Sequence, residues 1–219
     1  MLEWITRIIE QLISLFNRQT IGPIYETPIA QLETSEIIMK DVTIAQWKQI
    51  VPRFTHADKY IPHLNNAMRD AEINTPLRQA AFIAQIAHES GGFWYLTELG
   101  NDAYFKKYEG RKDLGNTEPG DGLVFKGRGF IQITGRFNYS RAGKALGIDL
   151  IKNPKLAETP EIAAKIATWY WSLHKLNALA DISDFITITR KINGGTHGIV
   201  QRQAYYYRAL SVLGYQEHA

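Results

Sequence analysis

The segment His88-Glu89-Ser90-Gly91-Gly92 holds the side chain with the clearest chemical potential in the chain. Glu89 follows a long apolar run and precedes two glycines, so it falls in the last turn of a helix that stops at once. At that place loss of solvation and the negative end of the helix dipole both favour the protonated carboxyl. A carboxyl kept protonated near neutral pH can act as a general acid toward a leaving glycosidic oxygen. Such hydrolysis needs a second carboxylate, close by as nucleophile or farther away as base for a water. The loop over 91–126 offers Glu98, Asp102, Glu109, Asp113, Glu118 and Asp121, and residue type alone does not choose among them.

Gln132 and Thr134 sit in the run GRGFIQIT, where Ile131 and Ile133 alternate with them as on a strand. That polar face can hydrogen-bond a sugar or position a water, and Phe137 and Tyr139 can stack on pyranose rings. Solvated polar groups on the open face of a strand are the plainer account. A zinc site of the HExxH type would need histidine at position 92, which is Gly92, so no metal is expected. Neither GxGxxG nor GxxxxGK[ST] is present, and no cofactor is expected.

The elements that must position these groups are mainly helical. Helices are predicted over 43–50, 56–72, 76–90, 138–146, 160–175, 181–191 and 198–213, with a short one near 101–108. Thr75 and Pro76 mark the start of the third, and its residues from Leu77 to Ala87 leave almost no polar face, which predicts a buried central helix. Thr159 and Pro160 mark another start, and Asn193-Gly194-Gly195 separates the last two helices.

Composition bounds the rest. With 219 residues, 45% apolar and 21% charged, the chain has room for one well-packed domain and an appendage. The absence of cysteine removes disulfides and thiolate chemistry. The net charge of +3 divides into −2 over residues 1–40 and +5 over the remainder, a mildly basic body suited to a polyanionic partner. Apolar residues at 2, 5, 8, 9, 12, 13, 15 and 16 follow helical spacing, while Glu3, Arg7 and Glu10 interrupt any membrane span. This amphipathic helix is expected to dock on the body or a second copy, with a membrane surface as the other reading. Gly22, Pro23 and Pro28 mark a linker, so residues 1–40 are divided from a body over 41–219.

The segments AFIAQIAHESGGF, YEGRKDLGN, FKGRGFIQITGRFNYS, NPKLAETPEIAAKIATWYW and KINGG, in this order, resemble glycoside hydrolase family 19. They look most like the lysozyme-like endolysins of phages and prophages of Gram-negative bacteria, over about 41–214. The resemblance implies a lysozyme-like helical domain with at most a small β-hairpin beside the cleft. It implies Glu89 as acid, Glu109 as second carboxylate with Glu98 as its rival, and Thr134 as holder of the attacking water. Gln132, Asn138 and Tyr139 fall on sugar-binding positions, and Asn193 and Arg202 on positions that support substrate and base near the cleft. The implied reaction is an inverting cut of β-1,4 bonds in peptidoglycan, by a muramidase made in the host cytoplasm and released to the periplasmic wall. A chitinase and a catalytically inactive glycan-binding module are the alternatives. The expected protein is a monomer whose partner is peptidoglycan, with no role in binding nucleic acid.

Overall fold

Thr43 opens the first helix of the computed structural model, which describes residues 41–54 and 56–215. The expected amphipathic helix over 2–16 and the linker over 19–40 lie outside the described residues. Helix α1 (Ile44–Ile50) starts with a reciprocal cap in which Gln46 N donates to the Thr43 hydroxyl and Thr43 N donates to the Gln46 side chain. Helix α2 (Ala57–Asp70) follows. Helix α3 (Pro76–Glu89) begins as its sequence dictates, with the Thr75 hydroxyl accepting from Arg78 N and Pro76 in the first turn.

Every residue of α3 from Gln79 to Ala87 is buried, so this helix is the axis of the core. Helix α10 (Ile199–Val212) packs along it, while α7 (Pro160–Leu173) covers α2. The helix expected over 181–191 is α9 (Phe185–Asn193), and a further helix, α8 (Leu176–Asp181), fills the stretch expected as a connection before it. Asp184 separates them because its side chain accepts from Thr187 N and caps α9. At the start of α7 the Thr159 hydroxyl donates to Leu156 O rather than capping the helix.

The end of α3 is the local feature on which the site depends. Gly92 N donates to Ala87 O (2.7 Å) and Gly91 N to His88 O (3.1 Å), the paired bonds of a Schellman stop. Both glycines are left-handed, with φ of +60° and +75°. Phe93 also has positive φ (+69°), a strained state for an aromatic residue. It is held there by burial against Phe54 (ring centroids 4.3 Å), Trp47 and Phe130.

Beyond it the loop is more ordered than its composition suggests. Helix α4 (Asp102–Phe105), two 3-10 turns (Lys106–Tyr108 and Lys112–Leu114) and helix α5 (Asp121–Val124) build it. Buried Asn116 ties it down, donating to Tyr108 O and accepting from Arg136 N at the start of α6 (Arg136–Leu146). Buried Asp121 adds an ion pair with Arg136.

The strand-like alternation at 131–134 has a different cause. Among the described residues there is no strand, only bridges between Thr97 and Arg128 and between Arg128 and Ile133. Residues 129–132 form the turn between the bridged residues Arg128 and Ile133, with φ of +75° at Gly129 and +53° at Gln132. A second apolar cluster, with Phe125, Ile133, Tyr139 and Ile166, packs beneath it. All the described residues belong to one compact unit.

Candidate active site

Glu89 ends α3 with its side chain 20% exposed, beside the fully buried Arg202 of α10. Arg202 Nη2 donates to Glu89 Oε1. The same guanidinium donates through Nη1 to Gln85 Oε1 (2.5 Å) and through Nε to His197 O (3.1 Å). Gln85 in turn donates to Thr189 Oγ1 of α9 (2.8 Å). The charge is thus taken from water with its donors satisfied, the condition under which a buried cation is tolerable. Arg202, expected to support substrate and base, instead holds the expected acid and has no exposed surface with which to touch a sugar.

His88 precedes Glu89 and packs on Gly198, where a Cβ would lie 2.1 Å from His88 Cε1. Burial, and then the nearby Arg202 charge, depress the basicity of this imidazole, while the Glu89 charge and, less, a bond to the Gln201 side chain oppose them. Its Nδ1 is buried without a partner among the described residues.

Glu98 lies on the loop nine residues beyond Glu89. Its Oε1 accepts from the Tyr108 hydroxyl (2.8 Å) and Lys107 Nζ (3.3 Å), and its Oε2 from Gly127 N (3.0 Å). Burial pushes the Glu98 carboxyl up, but the bonds from Gly127, Tyr108 and Lys107 outweigh it and set the group below the ordinary glutamate range. Glycine at 127 gives these side chains room, since a Cβ there would lie 3.0 Å from Glu98 Oε2 and 2.8 Å from Gln132 Oε1.

Glu109, the leading expectation for the second carboxylate, is exposed, and both its oxygens are taken up by loop backbone. Oε1 accepts from Gly120 N (2.6 Å) and Oε2 from Gly122 N (2.9 Å). It braces the loop at the start of α5. Asp121 is buried in its pair with Arg136, and Asp113 is paired with Arg111.

Gln132 sets its carbonyl oxygen beside Gly127, which Glu98 also flanks, while its amide donates to Gly129 O (2.8 Å) and Tyr95 O (3.3 Å). The Thr134 hydroxyl donates to Gln132 O (2.9 Å), leaving it to accept from a water, and Asn138 Nδ2 donates to Thr134 O. Asn193 ends α9, and its Oδ1 accepts from His197 N at 3.4 Å. Phe137 is exposed, as a stacking residue must be. Tyr139 corrects the expectation. It is fully buried, donates to Lys126 O (2.7 Å) and accepts from Arg128 Nη1 (2.9 Å), so its ring packs the core and reaches no sugar. The network of Gln85, Thr189 and Arg202 was not singled out as a unit in the sequence. Its one signal is Gln85, an amide inside the otherwise apolar run from Ala80 to Ala87.

A buried helix ending in one carboxylate, with a second ionised carboxylate on the loop that follows, supplies the two groups that a two-carboxylate glycosidase requires. Residues 53–206 match the family model described as chitinase class I, and the chain belongs to glycoside hydrolase family 19. A glycosyl hydrolase family 19 domain-containing protein of Haemophilus influenzae is 36% identical over 188 residues, covering 73% of this chain and 92% of that one. An endochitinase of Arabidopsis thaliana is 38% identical over 62% of this chain, which spans 47% of the plant protein. The crystal structure of chitinase C from Streptomyces griseus matches 79% of this chain and 92% of its own, with a TM-score of 0.66 at 30% identity. The protein is therefore a chitinase-related glycoside hydrolase with the helical fold its sequence implied.

Proposed function

We propose that this hydrolase cuts the β-1,4 bonds of bacterial cell-wall glycan as an endolysin-type muramidase, with Glu89 as acid and Glu98, not Glu109, as base. The observation that carries the site is the contrast between the two loop carboxylates. Glu98 is half-buried and ionised beside Gln132, whereas Glu109 spends both oxygens on Gly120 and Gly122. In the reaction the Glu89 proton passes to the leaving O4 as the C1–O4 bond breaks. A water attacks C1 from the opposite face and gives its proton to Glu98, with inversion at C1. Thr134 and Gln132 hold that water, Asn138 and Phe137 contact the sugar, and Asn193 borders the cleft.

The wall substrate is supported by the mildly basic body, by the order of motifs and by the near full-length likeness to a bacterial relative. The chitinase reading is favoured by the plant endochitinases among the relatives. In the wall reading residues 41–219 are the catalytic domain of a monomer made in the host cytoplasm and acting in the periplasm. Residues 1–40, through 2–16, serve docking or membrane contact rather than hydrolysis.

The test is turnover on purified sacculi with mass spectrometry of the fragments. Glu89→Gln and Glu98→Gln are expected to lower kcat by at least ~10²-fold, and Glu109→Gln by less than ~10-fold. Intact glycan strands, or faster cleavage of chitin oligomers, would reject the wall substrate. A larger loss in Glu109→Gln than in Glu98→Gln would reject the base.

A further inference from the structure

Most arginines of the described residues are spoken for. Arg69, Arg78, Arg111, Arg128, Arg136 and Arg202 each pair with a carboxylate. Arg53, Arg141, Arg190 and Arg208 do not, and of these Arg53 and Arg208 line one cavity of about 390 Å³, with Tyr205, Gln201, Gly91 and Gly92 also on its wall. No acidic residue lines it, whereas Asp70 lines each of three other cavities. Arg208 spends Nη1 on Ile50 O (3.0 Å), which fixes the guanidinium and leaves its other donors open among the described residues. The Tyr205 hydroxyl lies 3.8 Å from the place of a Cβ on Gly92. Two unpaired guanidinium groups with a phenol and an amide make a recess for a carboxylate.

Its position relates it to the cleft. Gly91 is two residues from Glu89, so their Cα atoms are at most ~7.6 Å apart. The Tyr95 ring covers Gly91, and Tyr95 O accepts from Gln132, which borders Glu98. Trp94 and Tyr95 are exposed along this edge. A wall glycan differs from chitin in carrying peptides that bear free carboxylates, and a peptide of about four residues spans ~13 Å when extended.

We infer that the Arg53–Arg208 recess binds a carboxylate of the peptide branch on a wall glycan and so selects peptide-bearing strands over bare ones. This rests on the proposed wall substrate. Two arms test it on the full chain. In the first, the tripeptide L-alanyl-γ-D-glutamyl-diaminopimelate is titrated and the Gly91, Gly92 and Gln201 amide resonances are followed. Those signals should shift, with Kd raised at least ~5-fold in Arg53→Gln and in Arg208→Gln, as expected for loss of one charge-assisted bond. An absent response, or an equal response to inorganic phosphate, overturns the inference.

In the second arm, kcat/KM is compared on peptide-bearing strands and on the same strands stripped by an amidase. The ratio between them should fall at least ~5-fold in Arg53→Gln, and equal loss on both overturns the inference. Arg53 has no bond within the described residues, so this variant keeps the test open if Arg208→Gln weakens the end of α1. If the wild type cleaves neither strand, the wall substrate fails and the titration still decides the recess. Cleavage without a titration response refutes the recess alone.

Discussion

Replacing Arg202 with methionine isolates what the buried cation does for Glu89. Arg202 is fully buried, and Glu89 keeps about a fifth of its side-chain surface. Removing one partner of a buried pair costs ~3–5 kcal/mol, since the other charge is left without compensation. Glu89 retains some water, which argues for the lower figure. Against that, the Gln85 side-chain oxygen loses its donor and His197 O loses another, at ~1–3 kcal/mol for a buried orphan. A net loss of about 4 kcal/mol follows, or a Tm lower by ~8–16 °C in a chain of this length.

The pairwise share comes from a cycle with Glu89→Gln, in which the amide oxygen still accepts from the guanidinium. Urea unfolding of the wild type, both single variants and the double variant should give a coupling of ~1–3 kcal/mol. Turnover measured in parallel should fall in Arg202→Met while it is still folded, because the carboxyl is no longer held at the mouth of the site. A coupling below ~0.5 kcal/mol, or a Tm within ~2 °C of the wild type, would refute the account of a buried, energetically linked pair.

The remaining expectations concern the loop and the helix contacts. Glu98 is depressed in the folded protein, so its stabilising bonds are fully present above the unfolded pKa and are lost as pH falls through the folded one. Tyr108→Phe removes one of those donors and should move the acid limb of the pH–kcat profile upward. An unmoved limb would mean that Glu98 is not the titrating base. Gly198→Ala should lower Tm by ~5–10 °C, because φ is +68° and the new methyl would meet the His88 ring. A calorimetric Tm equal to that of the wild type would contradict this packing. In Glu109→Gln the Gly120 and Gly122 amides should exchange faster with deuterium while Gly127, bonded to Glu98, stays protected. Faster exchange at Gly127 would show that the two carboxylates brace one unit.

Local signals made the scaffold readable. Thr75, Pro76 and the paired glycines mark both ends of α3 without reference to anything distant, and its apolar run required burial. The site was only half readable, because the distinctions that matter are non-local. Arg202 meets Glu89 across 113 residues and Gln85 across 117, and no spacing rule links them. The choice between Glu98 and Glu109 turns on whose oxygens the amides of Gly127, Gly120 and Gly122 reach, and that depends on the loop path. Tyr139 failed for a related reason. An aromatic residue in a polar motif reads as a sugar platform, but a neighbouring arginine and a backbone carbonyl gave its hydroxyl partners inside the core.

The two carboxylates are secured by different parts of the fold. Glu89 stands on the end of the buried central helix, so its place is fixed by the core and one cation. Glu98 stands on a loop and is fixed by a phenol, an ammonium and a backbone amide that also favour its ionised form. That loop is in turn braced by Glu109, by Asn116 and by the pair of Asp121 with Arg136, none of which touches α3 through the bonds described. The acid can therefore stay in register while the loop changes length or sequence. A fold built this way can alter which strand it grips without rebuilding the helix that carries the proton.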